Sequence, residues 1–147
     1  MHITILGGGS WGTALAVHLA KKKHQIKLWE FFEQQAREMQ EKRECPLLPG
    51  VLLADNITIS SDMACTLTGT ELVLIVVPSD KVESTLEKAK THLQLQPLIL
   101  CSKGFASGNR LLSEVVQEKI SNPLFFLYGP THAEEVGKGL LSGIVLA

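Results

Sequence analysis

The sequence has no surplus of charge of either sign: fourteen Lys and Arg stand against fifteen Asp and Glu, a net charge of −1 over 147 residues. Without a basic field it is not a general binder of nucleic acid or of anionic membranes, though one small phosphorylated ligand remains open to it. Cysteine is scarce as well. Cys45, Cys65 and Cys101 are odd in number and far apart, with no CxxC pair and no nearby His cluster. That excludes a disulfide framework and a zinc or other metal site, and fits unpaired thiols in a reducing compartment. A long apolar span is also missing. Residues 3–20 carry no Asp, Glu, Lys or Arg, which is close to the minimum for crossing a bilayer. Gly7-Gly8-Gly9-Ser10 interrupts the run, however, and Lys21-Lys22-Lys23 follows it, whereas a signal peptide would carry its charge in front. A cytoplasmic protein without stable membrane insertion is expected.

The length suits one domain, and the chain holds no internal repeat, low-complexity tract or linker. What it does hold is alternation. Ile3-Thr4-Ile5-Leu6 reads as a buried strand, and Trp11, Leu15, His18 and Leu19 then recur at helical spacing, with His18 expected in the core. Ile26–Trp29 is a second strand, and Phe32, Ala36 and Met39 mark the next helix, to about Glu44. Cys45–Asn56 contains Pro46, Pro49 and Gly50 and reads as an irregular loop. Ile57–Ile59 is a minor strand, followed by a short helix from about Asp62 to Thr68. Glu71–Val77 is apolar on both faces, as in a central parallel strand covered on two sides.

Asp80 and Glu83 resemble a capping box ahead of the helix carrying Val82, Leu86, Ala89 and Leu93. Leu98–Cys101 and Leu124–Tyr128 are strands around a helix marked by Leu112, Val115, Val116 and Ile120. A short helix near Thr131–Lys138 and an apolar strand over Ile144–Ala147 complete the series. Alternating β and α elements predict an α/β, doubly wound, mostly parallel sheet of the Rossmann type. Because the sequence stops within an apolar strand, residues 1–147 are expected to be a dinucleotide-binding domain incomplete at its C-terminus, without a substrate domain.

Gly7-x-Gly9-x-x-Gly12 is a weak pattern in isolation, but here it follows the first strand and opens a helix. In that context Gly7 permits the tight turn, Gly9 lets backbone approach a pyrophosphate, and Gly12 lets the helix pack close to the sheet. Unpaired amides and the helix dipole supply positive potential for the phosphates. A glycine turn without a ligand is the plainer alternative. The second anchor of a dinucleotide falls at the end of the second strand, where Glu30 and Phe31 stand. A carboxylate there accepts hydrogen bonds from ribose hydroxyls and repels a 2′-phosphate, so NAD(H) is expected in preference to NADP(H). Arg37 or Lys27 could still reach a phosphate, and Glu30 could be only a solvated strand end.

Several segments together resemble the bacterial-type NAD(P)-dependent glycerol-3-phosphate dehydrogenase family, in the family's order and over the whole chain. They are Gly7-Gly8-Gly9-Ser10-Trp11-Gly12-Thr13-Ala14-Leu15-Ala16, Leu28-Trp29, Leu48-Pro49-Gly50, Val77-Pro78-Ser79, Ser102-Lys103-Gly104 and Gly129-Pro130-Thr131-His132-Ala133-Glu134-Glu135. The resemblance implies reversible hydride transfer between glycerol 3-phosphate and a nicotinamide, with dihydroxyacetone phosphate as the ketone, feeding glycerophospholipid synthesis. A small phosphorylated substrate is the implied partner, with a homodimer as the full-length form.

Carried over by position, Ser10 and Trp11 line the dinucleotide turn and Phe31 lies beside the adenine ribose. Lys103 touches cofactor and substrate, Gly129 and Thr131 the substrate, and Ala133 the nicotinamide end. Lys103 follows a strand's carboxyl end, where open α/β sheets bind ligands, and its ammonium can offset substrate charge. Thr131 could equally be only an N-cap. Histidine is a common acid–base residue, but His132 falls at a place that varies in the family. Glu134 and Glu135 point about 100° apart on a helix and make no carboxylate pair.

The family commonly has Arg where Phe31 stands, which adds to the NAD(H) expectation, and an aromatic residue where Leu47 stands. Its general base is a Lys in a Gly-Gly-Ala-Leu-Lys-Asn segment that does not occur here, so no residue of this chain is expected to act as the catalytic base. Lys138, the only Lys after Thr131, lies in a different context. Two other readings stay open: a non-catalytic NAD-binding module, and another Rossmann dehydrogenase of a small phosphorylated or hydroxyacid substrate.

Overall fold

The computed structural model describes residues 1–147. Its strands are β1 (His2–Leu6), β2 (Gln25–Trp29), β3 (Glu44–Cys45), β4 (Leu48–Leu52), β5 (Ile57–Ser60), β6 (Leu72–Ile75), β7 (Leu98–Leu100), β8 (Leu124–Tyr128) and β9 (Val145–Leu146). The helices are α1 (Ser10–Lys21), α2 (Glu33–Lys42), α3 (Met63–Leu67), α4 (Val82–Ala89), α5 (Leu112–Lys119) and α6 (Ala133–Lys138). Seven strands form one sheet in the order β5-β2-β1-β6-β7-β8-β9. All neighbours run parallel except β9, which pairs antiparallel with β8. This is the doubly wound Rossmann-type architecture that the alternating pattern predicts. No helix is long and apolar enough to cross a membrane.

The sheet separates two apolar cores. One gathers Ile3, Ile5, Leu15, Leu28 and Met39 under α1 and α2. The other gathers Val73, Ile75, Leu86, Leu98 and Val116 under α4 and α5. β6 shows why its sequence is apolar throughout: Leu74 enters the first core while Val73 and Ile75 enter the second. Each such side chain, fully removed from water, contributes about 1.5–3 kcal/mol.

Three local expectations are corrected. Residues 44–52 are not an irregular loop but an antiparallel hairpin, β3–β4. Cys45, Leu48, Val51 and Leu53 are buried, and burial of these residues outweighs the turn-forming preference of Pro46 and Gly50. Arg43, left-handed at φ 55°, holds the hairpin's base. Its guanidinium donates to the carbonyls of Leu53, Ala54 and Ile57. Asp80 and Glu83 do not form a capping box: residues 79–81 make a 3-10 turn, and α4 starts at Val82 behind Lys81 without a side-chain cap. His18 is exposed rather than in the core. It lies two turns beyond Trp11 on the same stripe, and Trp11 is itself only half-buried.

Candidate functional site

β1 ends at Leu6, and the chain then turns sharply at Gly7, whose φ is +126°. A Cβ on Gly7 would also stand 2.8 Å from the carbonyl carbon and oxygen of Val76, so only glycine fits between β1 and β6. A Cβ on Gly12 would run into the Gly7 carbonyl oxygen, which lets α1 begin against the turn. Gly9, the residue before α1, is different: a Cβ there would have nothing within 4 Å. The space is open.

The Gly7 N–H donates to the Trp29 carbonyl at 3.0 Å, and the next backbone N–H to find a backbone acceptor is that of Thr13, at the Gly9 carbonyl, 2.9 Å away. The amides of Gly9, Ser10, Trp11 and Gly12 have none. No side chain caps α1, and its first turn contains no acidic residue. A buried helix start ordinarily finds a cap. Left bare, this one presents several N–H donors and a positive dipole end to whatever occupies the space in front of it.

Two clefts meet at that point, at the carboxyl ends of β1, β2, β6 and β7, and both are lined by Gly9, Leu47, Val76, Val77 and Pro78. The strand order reverses between β1 and β6, the place where open sheets of this kind take their ligands. The first cleft, about 680 Å³, extends past Glu30 and Phe31 at the end of β2, with Lys81, Ser84 and Lys88 of the α4 segment on its far wall. The second, about 480 Å³, extends past Ser10 and Trp11 to Lys103, Thr131 and Ala133. Leu47, at the tip of the β3–β4 hairpin, stands at the junction where the resembling family commonly has a ring.

Glu30 is not a solvated strand end. It is only 6% exposed, and its carboxylate accepts the Phe32 N–H at 3.0 Å. Burial raises its pKa above the ordinary 4.5, against the opposing amides of Phe32, Phe31 and Gly8. Phe31 is exposed and meets Trp29 and Phe32 edge to face. Neither cation suggested as a phosphate contact reaches this cleft. Lys27 Nζ donates to the carbonyls of Cys65 and Thr68, at 3.1 and 2.7 Å, and Arg37 pairs with Glu33.

In the second cleft, Lys103 Nζ donates to the carbonyls of Thr131 (3.2 Å) and Gly129 (3.4 Å) and lies 5.5 Å from the centre of the Trp11 ring. Gly129 is therefore beneath the ammonium rather than on the cleft wall. A Cβ on it would collide with the Gly143 carbonyl oxygen. Thr131 is not an N-cap, because His132 holds that position before α6. The Thr131 hydroxyl is buried with no partner, and so is Trp11 Nε1. Orphaned buried polar atoms are rare, and both of these belong to residues that line the second cleft. His132 is exposed at the mouth, Lys138 is exposed on α6 away from both clefts, and no cluster of three or more His, Cys, Asp or Glu is assembled anywhere.

Sequence reasoning missed the contribution of α4, since Lys81, Ser84 and Lys88 look like any solvated helix face until topology turns them toward a cleft. It also missed Ser102, whose buried hydroxyl donates to Val77 O at 2.6 Å and ties β7 to the floor of the site.

The chain matches the family model for the N-terminus of NAD-dependent glycerol-3-phosphate dehydrogenase over residues 2–147. It is 40% identical over 141 residues to a glycerol-3-phosphate dehydrogenase (NAD(P)+) of Geobacillus thermodenitrificans, covering 92% of this chain and 41% of that protein. With the protein of that name in Mesorhizobium japonicum it is 36% identical, over 99% of this chain and 43% of the other. A crystal structure of glycerol-3-phosphate dehydrogenase from Coxiella burnetii superposes with a TM-score of 0.94 at 34% identity, covering 99% of this chain and 46% of that one. The chain thus spans less than half the length of these relatives.

Proposed function

The chain belongs to the family of NAD-dependent glycerol-3-phosphate dehydrogenases, through its N-terminal domain, and from that premise we propose that it holds the nicotinamide coenzyme for interconversion of glycerol 3-phosphate and dihydroxyacetone phosphate. The observation that carries this reading is the uncapped start of α1, where the amides of Gly9, Ser10, Trp11 and Gly12 lack backbone acceptors at the junction of two clefts. A diphosphate at the junction would satisfy those donors, with the adenosine end in the first cleft and the nicotinamide end in the second.

Glu30 and Phe31 would then hold the adenine ribose, and Ser10, Trp11 and Ala133 the nicotinamide half. The buried carboxylate of Glu30, unfavourable to a 2′-phosphate, supports NAD(H) as the preferred coenzyme. When bound, the nicotinamide supplies the acceptor or donor of hydride. Lys103 and Thr131 would hold the phosphorylated substrate, and Gly129 would act behind them, through the carbonyl that accepts from the Lys103 ammonium. The Lys103 ammonium, fixed by two carbonyls, offsets negative charge, and the Thr131 hydroxyl is left without a hydrogen-bond partner inside the protein. Removing the proton from the C2 hydroxyl needs a general base. The family's base segment is not among these residues, so the chain alone is expected to bind coenzyme and to turn over little substrate.

Residues 1–147 are read as one dinucleotide-binding unit, with the substrate domain outside it. The full-length form is read as a cytoplasmic homodimer supplying glycerophospholipid synthesis. Calorimetric titration of the chain with NADH, followed by an NADH-oxidation assay with dihydroxyacetone phosphate, tests the proposal. Binding without appreciable turnover is expected. Absence of binding to either NADH or NADPH would remove it.

A further inference from the structure

The first cleft holds a cation that the fold leaves without a carboxylate. Of the lysines on and beside α4, Lys81 pairs with Asp80 at 3.0 Å and Lys90 with Glu87. The helix's own acids, Glu83 and Glu87, are both turned to Lys119 of α5, at 3.0 and 2.9 Å. Lys88 is in no ion pair. Its Nζ lies 4.4 Å from the centre of the Phe31 ring, which brings it across the cleft to the residue after Glu30. The π-face of Phe31 holds the ammonium there by electrostatic attraction. Lys88 stands on the same cleft wall as Lys81 and Ser84, but Lys81 is paired with Asp80, and Lys27 and Arg37 are engaged outside the cleft.

We propose that Lys88 is a coenzyme-selecting residue, presented by Phe31 to the 2′-phosphate of NADP(H). The inference rests on the dinucleotide reading above and adds to it a residue that no motif marks. Two groups then act in opposition at the adenine ribose. Buried Glu30 favours free ribose hydroxyls, and Lys88 compensates a phosphate ester on one of them. A cleft with both would prefer NAD(H) while retaining affinity for NADP(H), and the retained part would belong to Lys88. A charge-assisted contact of an ammonium with a phosphate is stronger than a neutral hydrogen bond; discounted for exposure, it corresponds to about a tenfold change in affinity.

The test is calorimetric titration of the chain and of its Lys88→Gln and Lys88→Arg variants with NADPH, NADH and 2′,5′-ADP. The last of these reports the adenosine end alone. Lys88→Gln is expected to weaken NADPH and 2′,5′-ADP about tenfold while NADH stays within about twofold, and Lys88→Arg is expected to restore both. Equal weakening of NADPH and NADH, or no change in either, overturns the role of Lys88 and leaves the dinucleotide site standing. Wild-type chain that binds neither coenzyme overturns both readings together.

Discussion

Replacing Gly9 by Ala separates folding from binding more cleanly than any other single change in the turn. Gly9 has φ −69° and ψ −176°, a conformation that alanine adopts without strain. Restricting the unfolded chain by this exchange contributes about 0.4–1 kcal/mol of stability. Alanine is a poorer residue than glycine before a helix, by up to about 1 kcal/mol. The two effects oppose each other, so net stability should change by less than about 1 kcal/mol, or by at most about 4 °C in melting temperature for a chain of this size. Binding is another matter. The new methyl group would stand in the open space where the clefts meet and hold a diphosphate away from the α1 amides. Each hydrogen bond to a charged group contributes about 1.5–3 kcal/mol, so losing one weakens NADH by about 10- to 100-fold. Gly12→Ala supplies the contrast. Its methyl group meets the Gly7 carbonyl oxygen, and overpacking of that kind costs about 1–3 kcal/mol, which lowers the melting temperature as well. Thermal melts and NADH titration on the two variants decide the matter. A Gly9→Ala chain that melts normally and binds NADH within threefold of wild type would refute the reasoning.

Two further outcomes follow from buried polar groups. Thr131→Val removes an orphaned buried hydroxyl with little change of shape. Relief of that desolvation should stabilise the chain by about 1 kcal/mol and raise its melting temperature by about 2–4 °C; a lower melting temperature would mean the hydroxyl is partnered in solution. Glu30 carries a carboxyl whose pKa is raised in the folded state, chiefly by burial. The folded chain therefore binds its proton more tightly than the unfolded chain does. The stability this contributes is complete below the ordinary value of 4.5 and is lost as pH rises through the higher folded value. In urea unfolding between about pH 4 and pH 7, Glu30→Gln should lose less stability with rising pH than wild type, and parallel curves for the two proteins would contradict the assignment.

Residues whose type alone dictates backbone geometry were legible in the sequence. Gly7 and Gly12 could be read because no side chain fits where they stand, and β6 because a strand buried on both faces has nowhere to put a polar residue. The place of Lys103 on a cleft wall follows from its position after a strand's carboxyl end, whereas the role expected of it came from the resemblance of Ser102-Lys103-Gly104. The β3–β4 hairpin was not, although Cys45, Leu48 and Val51 carried an apolar signal, because Pro46, Pro49 and Gly50 are the residues of loops. Glu30 was placed correctly and its surroundings were not, since a carboxylate satisfied by neighbouring amides leaves no mark in the sequence. Lys88 was invisible for a related reason. Its position depends on α4 lying next to the end of β2, and sequence separation hides that contact. His18 marks the limit of periodicity, which assigns a residue to a stripe without saying how far along the helix the cover extends.

The strand order β5-β2-β1-β6-β7-β8-β9, parallel up to the final strand, divides the molecule's labour by direction. The parallel strands all point their carboxyl ends at the rim where the two clefts open, so a ligand held there would meet only the connections leaving the sheet on that side. The connections arriving at the opposite rim, around Gln25, Glu71, Pro97 and Pro123, answer only to the geometry of the next strand. A substitution on the first rim would have to respect the ligand as well as the fold, whereas one on the other rim would have to respect only closure of the chain. The two borders of one sheet are therefore held to different demands, one set by a ligand and the other by chain closure alone.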